Sequence, residues 1–384
     1  MKKTIILSMI ALVFAFTNAV KADIALSGYV EFFAGSADQT TLNGNEHHGI
    51  DQAGLNNGNY SRITATYDTT LDSGIEVSGV YTADARDCAV QANNADGTAA
   101  GQQSGNCNVV DFNFMSFSGN FGTISVGERF DTGAAMLSRL TASAPTAEPD
   151  GGLINQFVTL NGGNAYGRAN EVNYASSALK AVYMSNVYSG FSFAVGYTPN
   201  SGENGTGGVT GQPVAATTAT WGSYSDVLSI HGKYAIDIDG VGVELVYGNQ
   251  TGNAGRIGAL DYNDLDETSY SAKISYANFV ADYRKNDSGN SGYAKGVNTG
   301  NVEGTSICGI YTFGNTAVGA CNVNSSQVDA NNFTNDATTR TYSAEYQLGG
   351  GVALGLVYFD IEETANSQDM TDATGLATKL SIGF

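Results

Sequence analysis

The sequence predicts an all-β fold, a 16-stranded antiparallel transmembrane β-barrel with short turns at one end and long loops at the other. Three observations predict it. Apolar and polar residues alternate with period two along most of the chain after Asp23. Tight turns alternate with long polar segments, and the last alternating strand ends on Phe384. The composition agrees, because the 384 residues include 49 Gly and 21 Tyr but only 4 Pro.

The first 22 residues predict an export signal. Lys2 and Lys3 form a positive start, residues 5–16 are apolar, and Val20 and Ala22 suit cleavage before Asp23. The apolar stretch is shorter than the about 20 residues of a membrane-spanning helix. We therefore expect residues 1–22 to be a signal peptide and residues 23–384 to form a single barrel domain.

The net charge excludes nucleic acid as a partner. The chain has 17 Lys and Arg against 37 Asp and Glu, a formal charge of −20. Loss of Lys2, Lys3 and Lys21 with the signal peptide takes the charge from −20 to −23. Lys and Arg must neutralise phosphates in a nucleic-acid complex, and this chain has too few of them.

The strand count follows from the turns. Seven strand–turn–strand units can be read, and one strand at each chain end brings the number to sixteen. The predicted turns lie near residues 72–74, 119–122, 186–190, 239–240, 277–278, 314–315 and 349–351. Between the hairpins lie long segments rich in Asn, Gly, Asp, Ser and Thr, which we expect to be loops: 85–108, 199–223, 250–267, 286–302, 324–338 and 363–373.

The two strand faces differ in polarity. One face carries apolar runs such as Val241, Val243, Leu245 and Tyr247, while the opposite face carries Lys233, Glu244, Lys273, Asp282, Arg284 and Glu345. A secreted β-sandwich or β-helix would also alternate, but unpaired charges in a sandwich core are too costly. A water-filled lumen accepts them, which favours a barrel that is polar inside and apolar outside.

The chain end carries a further signal. Leu380, Ile382 and Phe384 share one face of the last strand. A terminal aromatic residue that closes an alternating strand resembles the assembly signal of Gram-negative outer-membrane barrels.

Three internal stretches resemble the general diffusion porins of Gram-negative outer membranes: residues 71–77, 116–127 and 188–197. The resemblance implies short periplasmic turns, long external loops, an inward-folded third loop and a homotrimer. It also implies passive diffusion of ions and small hydrophilic solutes, contact with outer-membrane lipid and lipopolysaccharide, and assembly by the barrel-assembly machinery. A substrate-selective channel, for a sugar for example, and a non-conducting adhesive or structural barrel remain alternatives.

The resemblance also implies a pore constriction. The third loop should occupy residues 130–178, where Glu148 and Asp150 form a small acidic group, with an ordinary solvated loop as the alternative for both residues. Arg62 and Arg129 match the basic wall residues that face it in the family, with Lys180 as a further candidate. Opposed charges across a narrow pore create a transverse field. With a charge of −23, we expect mild cation selectivity.

The four cysteines predict two disulfides and no metal site, since exported cysteines pair and the chain has no CxxC spacing. A two-residue turn at 314–315 places Cys308 directly opposite Cys321. Cys88 and Cys107 bracket the second long loop and form the other predicted pair.

We expect neither enzymatic activity nor a resident cofactor. His47, His48 and His231 are the only histidines, and they form no convincing set with a nucleophile and an acid. An acidic run in the predicted fifth loop leaves a calcium site or divalent bridging to lipopolysaccharide open: Asp261, Asp264, Asp266 and Glu267.

Overall fold

Sixteen long strands form one antiparallel sheet in a computed structural model of the chain. The structure describes residues 23–41, 56–57, 62–84, 110–136, 157–158, 178–201, 224–254, 256–257, 260–296, 300–328, 334–365 and 368–384. The strands are β1 (Asp23–Thr41), β2 (Arg62–Thr70), β3 (Glu76–Asp84), β4 (Val110–Gly119), β5 (Gly122–Glu128), β6 (Leu179–Met184), β7 (Phe191–Asn200), β8 (Ser225–Ile238), β9 (Val241–Asn253), β10 (Leu265–Tyr276), β11 (Phe279–Gly289), β12 (Gly300–Phe313), β13 (Thr316–Val328), β14 (Thr334–Gly349), β15 (Val352–Ala365) and β16 (Gln368–Gly383).

Three two-residue strands and one short helix complete the described elements. Asn56–Asn57 pairs with β1, and Arg256–Ile257 pairs with Leu260–Asp261. The helix α1 (Thr132–Met136) follows β5. No helix among the described residues is long and apolar enough to cross a membrane.

The sheet closes on itself through its first strand. β1 pairs with β2 from Asp23 opposite Asp68 to Tyr29 opposite Arg62, and with β16 from Tyr29 opposite Gly383 onward. β16 also pairs with β15, and each strand from β2 to β15 pairs with its two sequence neighbours, so all sixteen have partners on both sides. The predicted 16-stranded antiparallel barrel is confirmed, and all seven predicted turns connect the expected strands.

The turn between β8 and β9 shows how local sequence sets the register. Asp239 and Gly240 have φ values of 54° and 81°, the left-handed conformation that a two-residue hairpin turn requires. The Asp237 carboxylate accepts a hydrogen bond of 3.0 Å from the Gly240 N–H. This turn places Val241 opposite Ile238 and aligns the two strands as far as Thr251.

Four predicted loops are wrong in extent, because the strands continue into them. The segments 250–267, 324–338 and 363–373 are largely strand in the structure, and β11 and β12 extend into the two ends of 286–302. Their Asn, Asp and Gly residues have low strand propensity, and the apolar alternation weakens along them. Main-chain hydrogen bonds to the neighbouring strands hold these extensions, and the sequence pattern does not reveal them.

The predicted two-faced pattern is confirmed. On β9, Leu245 and Tyr247 are 49% and 62% exposed on the outer face, whereas Val246 and Gln250 face the lumen and are buried. Exposed aromatic residues recur near both ends of the outer face. They include Tyr276, Phe279, Tyr311, Phe313 and Tyr346 beside the short turns, and Tyr247, Tyr270, Tyr283, Tyr342 and Tyr358 toward the long loops. Such bands are typical of strands that cross a membrane.

Candidate functional site: the lumen and its third loop

The third loop enters the lumen directly after β5. Its residue Asp131 is fully buried, and its Oδ2 accepts a hydrogen bond of 2.6 Å from Ser229 Oγ on β8. Gln250 on β9 donates to the same oxygen, and Nε2 of Gln250 also donates to Ser229 Oγ over 2.8 Å. The N–H of Thr132 donates to Asp131 Oδ1 over 2.6 Å. Wall side chains from two strands therefore hold the start of the loop.

The next residue repeats this anchoring one position further along. Thr132 Oγ1 lies 2.9 Å from Nδ1 of His231, and Nε2 of His231 lies 3.5 Å from Ser269 Oγ on β10. His231 is fully buried. Gly248 lies opposite it on β9, and a Cβ at that position would collide with the imidazole ring. The glycine therefore makes room for His231 beneath the loop.

Apolar contacts also hold the start of the third loop against the wall. Met136, at the end of α1, is buried in one cluster with Ala194 of β7 and Val246 of β9, and Met184 packs against that cluster. Gly196 of β7 gives the loop space, since a Cβ there would lie 3.0 Å from both Asp131 Oδ1 and Thr132 Cγ2. We call this set of contacts on β7–β10 the entry anchor.

Burial dominates the electrostatics of the loop entrance. It raises the pKa of the Asp131 carboxyl, although the hydrogen bonds from Ser229 and the Thr132 N–H act in the opposite direction. Burial likewise lowers the pKa of the Arg129 guanidinium, and the neighbouring Asp131 partly offsets this. The entry anchor thus places a desolvated acid close to a desolvated base.

A second part of the same loop packs on the opposite wall. Phe157 and Val158 are only 2% and 5% exposed, and they belong to one buried apolar cluster with lumenal side chains of β1, β12, β13, β15 and β16. The wall residues of this cluster are Phe33, Ala37, Cys308, Cys321, Val357, Phe359, Ile361, Ala373 and Ala377. In a ring of sixteen strands, β8 and β16 lie half a turn apart. The described residues of the predicted third loop, 131–136 and 157–158, therefore contact two different parts of the lumen wall.

The two predicted basic wall residues lie among aromatic rings, Arg62 at the start of β2 and Arg129 just after the end of β5. The Arg62 guanidinium lies 5.9 Å from the Tyr29 ring and 5.5 Å from the Phe112 ring. Arg129 lies 4.8 Å from the Phe114 ring and is 9% exposed. These separations are in the range of cation–π contacts, so the rings orient both guanidinium groups.

Lys180 supports the loop rather than facing the open pore. It is 2% exposed, and its Nζ donates to the carbonyl oxygens of Arg129 and Ala178, the latter over 2.6 Å. It therefore joins the two ends of the loop at the barrel wall. Glu148 and Asp150 lie outside the described residues, as do the predicted signal peptide and most of the segment 130–178.

One predicted disulfide is present. Cys308 of β12 and Cys321 of β13 lie directly opposite each other and are bonded, with a Cα–Cα distance of 4.1 Å. Both are buried on the lumenal face, within the cluster that seats Phe157. Cys88 and Cys107 lie outside the described residues.

The acidic run occupies a different place from the one predicted. Asp266 and Glu267 lie in β10, where they are on opposite faces, and not in a loop. Asp264 Oδ1 accepts from the Ala254 N–H over 2.9 Å, Asp266 Oδ1 from Asn249 over 3.0 Å and Glu267 Oε1 from Ser288 over 2.9 Å. Within the described part of the chain, no three acidic, His or Cys side chains are grouped as a metal site.

Charged lumenal side chains pair across neighbouring strands. Glu244 accepts from Lys233 over 2.6 Å and from Lys273 over 2.5 Å. Lys379 lies 3.4 Å from Glu31. These pairs are partly exposed, so their charges remain in contact with solvent.

The predicted assembly residues lie on the outer face of the closing strand. Leu380 and Ile382 are opposite Phe32 and Val30 of β1. Phe384 exchanges two main-chain hydrogen bonds of 2.9 Å with Gly28, and its ring covers that glycine. The terminal aromatic residue therefore completes the seam between the first and last strands.

This architecture agrees with a known protein family, whose sequence profile, described as Gram-negative porin, matches residues 8–368. The chain belongs to the Gram-negative porin family. Its barrel and family place the porin in the outer membrane as a multi-pass β-barrel, as expected from the sequence. Both point to a channel rather than an enzyme.

Solved structures share the fold at low sequence identity. The anion-selective porin from Comamonas acidovorans gives a TM-score of 0.58 at 16% identity, over 95% of this chain and 100% of that chain. The outer-membrane channel DcaP of Acinetobacter baumannii gives 0.56 at 11%, over 96% and 99%. The trimer form of OmpT from Vibrio cholerae gives 0.52 at 11%, over 94% and 99%. No curated protein matches the porin.

The sequence analysis missed the anchors of the third loop. Asp131 lies three residues after the end of β5 and directly before α1, a position that favours helix capping, and this was a usable signal. Strand parity places Ser229 and His231 on the same lumenal face as Lys233. Nothing in the sequence indicates that Phe157 reaches the opposite wall, because that contact joins residues far apart along the chain.

Proposed function

We propose that this porin is a passive, water-filled pore for ions and small hydrophilic solutes, narrowed by its third loop. The observation that supports this proposal is that Asp131 and Phe157, both in the predicted third loop, contact two different parts of the lumen wall. In a barrel with an unobstructed lumen, only the barrel diameter would limit the size of the solutes that enter. A loop that packs inside the lumen lowers this size limit.

We further propose that Glu148 and Asp150 on the loop face Arg62 and Arg129 on the wall. The location of both arginines among lumenal aromatic rings supports their part in this arrangement. Mild cation selectivity is the preference we expect. It is supported by the excess of acidic residues and by lumenal acids near the short turns, including Asp68, Glu76 and Asp237. The likeness to an anion-selective porin does not favour it.

A homotrimer is the assembly that we propose. Ile24 and Leu26, on the outer face of β1, are 73% and 70% exposed in the single chain, and we assign this region to the subunit contact. One of the similar structures is a trimer form. We also propose cleavage before Asp23, insertion by the barrel-assembly machinery through the closing strand, and contact with lipopolysaccharide at the external rim. A calcium site near Asp261 and Asp264 stays a prediction.

The test is conductance of the purified, unheated porin in a planar bilayer, with the reversal potential measured under a KCl gradient. We expect stepwise insertion of open channels and a reversal potential of the sign for cations. Anion-biased reversal would contradict the charge assignment but leave the pore. Absence of channels from folded, heat-modifiable protein would favour the alternative of an adhesive or structural barrel.

A further inference from the structure

The first residues of β1 have a neighbouring strand on one side only. Residues 23–27 pair with β2, beginning with Asp23 opposite Asp68. On the other side, contact between β1 and the end of β16 begins at Gly28, which exchanges two main-chain hydrogen bonds of 2.9 Å with Phe384. None of the described strands that pair with β1 reaches this side of residues 23–27. We call it the free edge.

The free edge exposes main-chain hydrogen-bonding groups. Successive residues of a strand point their N–H and C=O groups to opposite sides, so Ile24 and Leu26 point theirs the same way as Gly28, toward the line of β16. In the described part of the chain, no main-chain group pairs with those of Ile24 and Leu26 on this side. All residues from 23 to 27 are exposed. An unpaired edge of this kind is a template for a further strand, and proteins usually cover or blunt it.

The structure leaves room for a further strand along the free edge. Such a strand would continue the line of β16 past Phe384, beside the turn at 349–351. A Cβ on Gly349 or Gly350 would meet no described atom within 4 Å. The side chains of Ile24 and Leu26 point away from the barrel, whereas the edge groups point along the sheet. A subunit packed on the outer face therefore leaves the edge groups unpaired.

A second copy of the chain does not fit the free edge in a trimer. The opposite edge of residues 23–27 is occupied by β2, so two copies could join only free edge to free edge. Identical strands joined in this way are antiparallel and are related by a twofold axis, which a threefold assembly lacks. The strand that fits this edge therefore comes from another protein.

The charge beside the free edge indicates the chemistry of that strand. Asp23 and Asp68 lie directly opposite each other, and neither has an ion-pair partner within the described residues. Like charges at opposite positions destabilise a strand pair. Cleavage before Asp23 would add one ammonium group and offset one of the two carboxylates. A Lys or Arg opposite Asp23 on an added strand would offset the other.

We infer that the free edge binds an extended segment of a partner protein on the side of the short turns, by addition of a strand antiparallel to β1. The segment carries apolar residues opposite Ile24 and Leu26, whose side chains are 73% and 70% exposed, and a basic residue opposite Asp23. Main-chain hydrogen bonds supply the affinity in strand addition, and the alternate side chains supply the specificity. This inference goes beyond the proposed pore and does not depend on conduction.

The test measures binding of a labelled peptide, Thr-Val-Thr-Val-Lys with blocked ends, to the purified porin by fluorescence anisotropy. In antiparallel register, its valines lie opposite Leu26 and Ile24 and its lysine lies opposite Asp23. Leu26→Pro removes an N–H that points to the free edge and not to β2, a position at which strands tolerate proline. We expect about a tenfold loss of affinity. Leu26→Val keeps the N–H and should bind as the wild type does.

A second peptide, N-methylated at both valines, lacks the N–H groups that would face β1 and should not bind. Equal binding of the two peptides would overturn strand addition, and so would unchanged affinity of Leu26→Pro or failure of the first peptide to bind the wild type.

Amide hydrogen exchange of the wild type tests the same inference if Leu26→Pro does not fold. In the porin alone, the amides of Ile24 and Leu26 should exchange much faster than those of Ala25 and Ser27, which face β2. Addition of the first peptide should slow them. Slow exchange at Ile24 and Leu26 without peptide would show that another copy or another segment of the chain covers the edge, and would overturn the inference.

Discussion

Replacement of Asp131 by alanine tests the entry anchor of the third loop. The change removes the acceptor of the hydrogen bonds from Ser229 and Gln250 and leaves both donors buried. Hydrogen bonds to a charged group contribute about 1.5–3 kcal/mol each, so two would contribute about 3–6 kcal/mol. Burial raises the pKa of Asp131, so the desolvation of its charge offsets part of this contribution. We therefore take the lower limit, about 3 kcal/mol, as the free energy of loop docking that the alanine variant loses. A loss of this size lowers the equilibrium ratio of docked to undocked loop by about a hundredfold.

Single-channel recording measures this shift. We expect Asp131→Ala channels to open and close with more current noise and to admit larger neutral solutes. Asp131→Asn, a neutral isostere that keeps an acceptor oxygen, should fall between the wild type and the alanine variant. Asp237→Ala is the charge-matched control, because this lumenal acid caps the turn at Gly240 instead of holding the loop. If Asp131→Ala channels show the same current noise and the same size limit as the wild type, the role of Asp131 in the entry anchor is refuted.

Three further results follow from the packing. Gly248→Ala should lower the temperature of the heat-modifiable transition by several degrees, since its Cβ would collide with the His231 ring. Replacing Cys308 and Cys321 by serine should lower the stability of the barrel by about 3 kcal/mol, the value for a loop of similar length, and the same transition measures it. Phe384→Ala should reduce the folded fraction in a timed refolding assay, because the ring covers the β1–β16 seam.

Matched changes serve as controls for these predictions. Gly232→Ala should leave the transition unaltered, because a Cβ there would lie at an ordinary distance of 3.6 Å from the Phe191 ring. Leu348→Ala removes another exposed apolar side chain away from the seam and should not slow refolding. Equal transition temperatures for the Gly248 and Gly232 variants would contradict the role of the glycine. Full wild-type stability without the disulfide would show that the bond contributes nothing.

Much of the fold was predictable because barrel strands obey a local rule. Alternation with period two assigned Leu245 to the outer face and Glu244 to the lumen, and the structure agrees. The two-residue turn at 314–315 fixed the pairing of Cys308 with Cys321 by counting alone. The strand extensions were missed because residues such as those of 324–328 lack the alternating pattern, while main-chain pairing keeps them extended.

The site was less predictable because its contacts are long-range. Arg62 and Arg129 could be assigned to the lumen by strand position and by resemblance to the family. The docking of Asp131 on Ser229 joins residues 98 positions apart, and no periodic pattern marks it. The seat of Phe157 depends on apolar residues of β1, β15 and β16, each of which reads on its own as an ordinary strand residue. Only the closed barrel brings these groups together.

The most direct test of the central claim, that the third loop crosses and narrows the lumen, is polymer exclusion in a planar bilayer. Sixteen strands about 4.8 Å apart and tilted by about 40° give a backbone radius of about 16 Å, or about 10 Å inside the side chains. Single-channel conductance is recorded with polyethylene glycols of graded size. We predict that polymers with radii well below about 10 Å are already excluded. Entry of polymers up to about 10 Å would contradict a loop that crosses the pore.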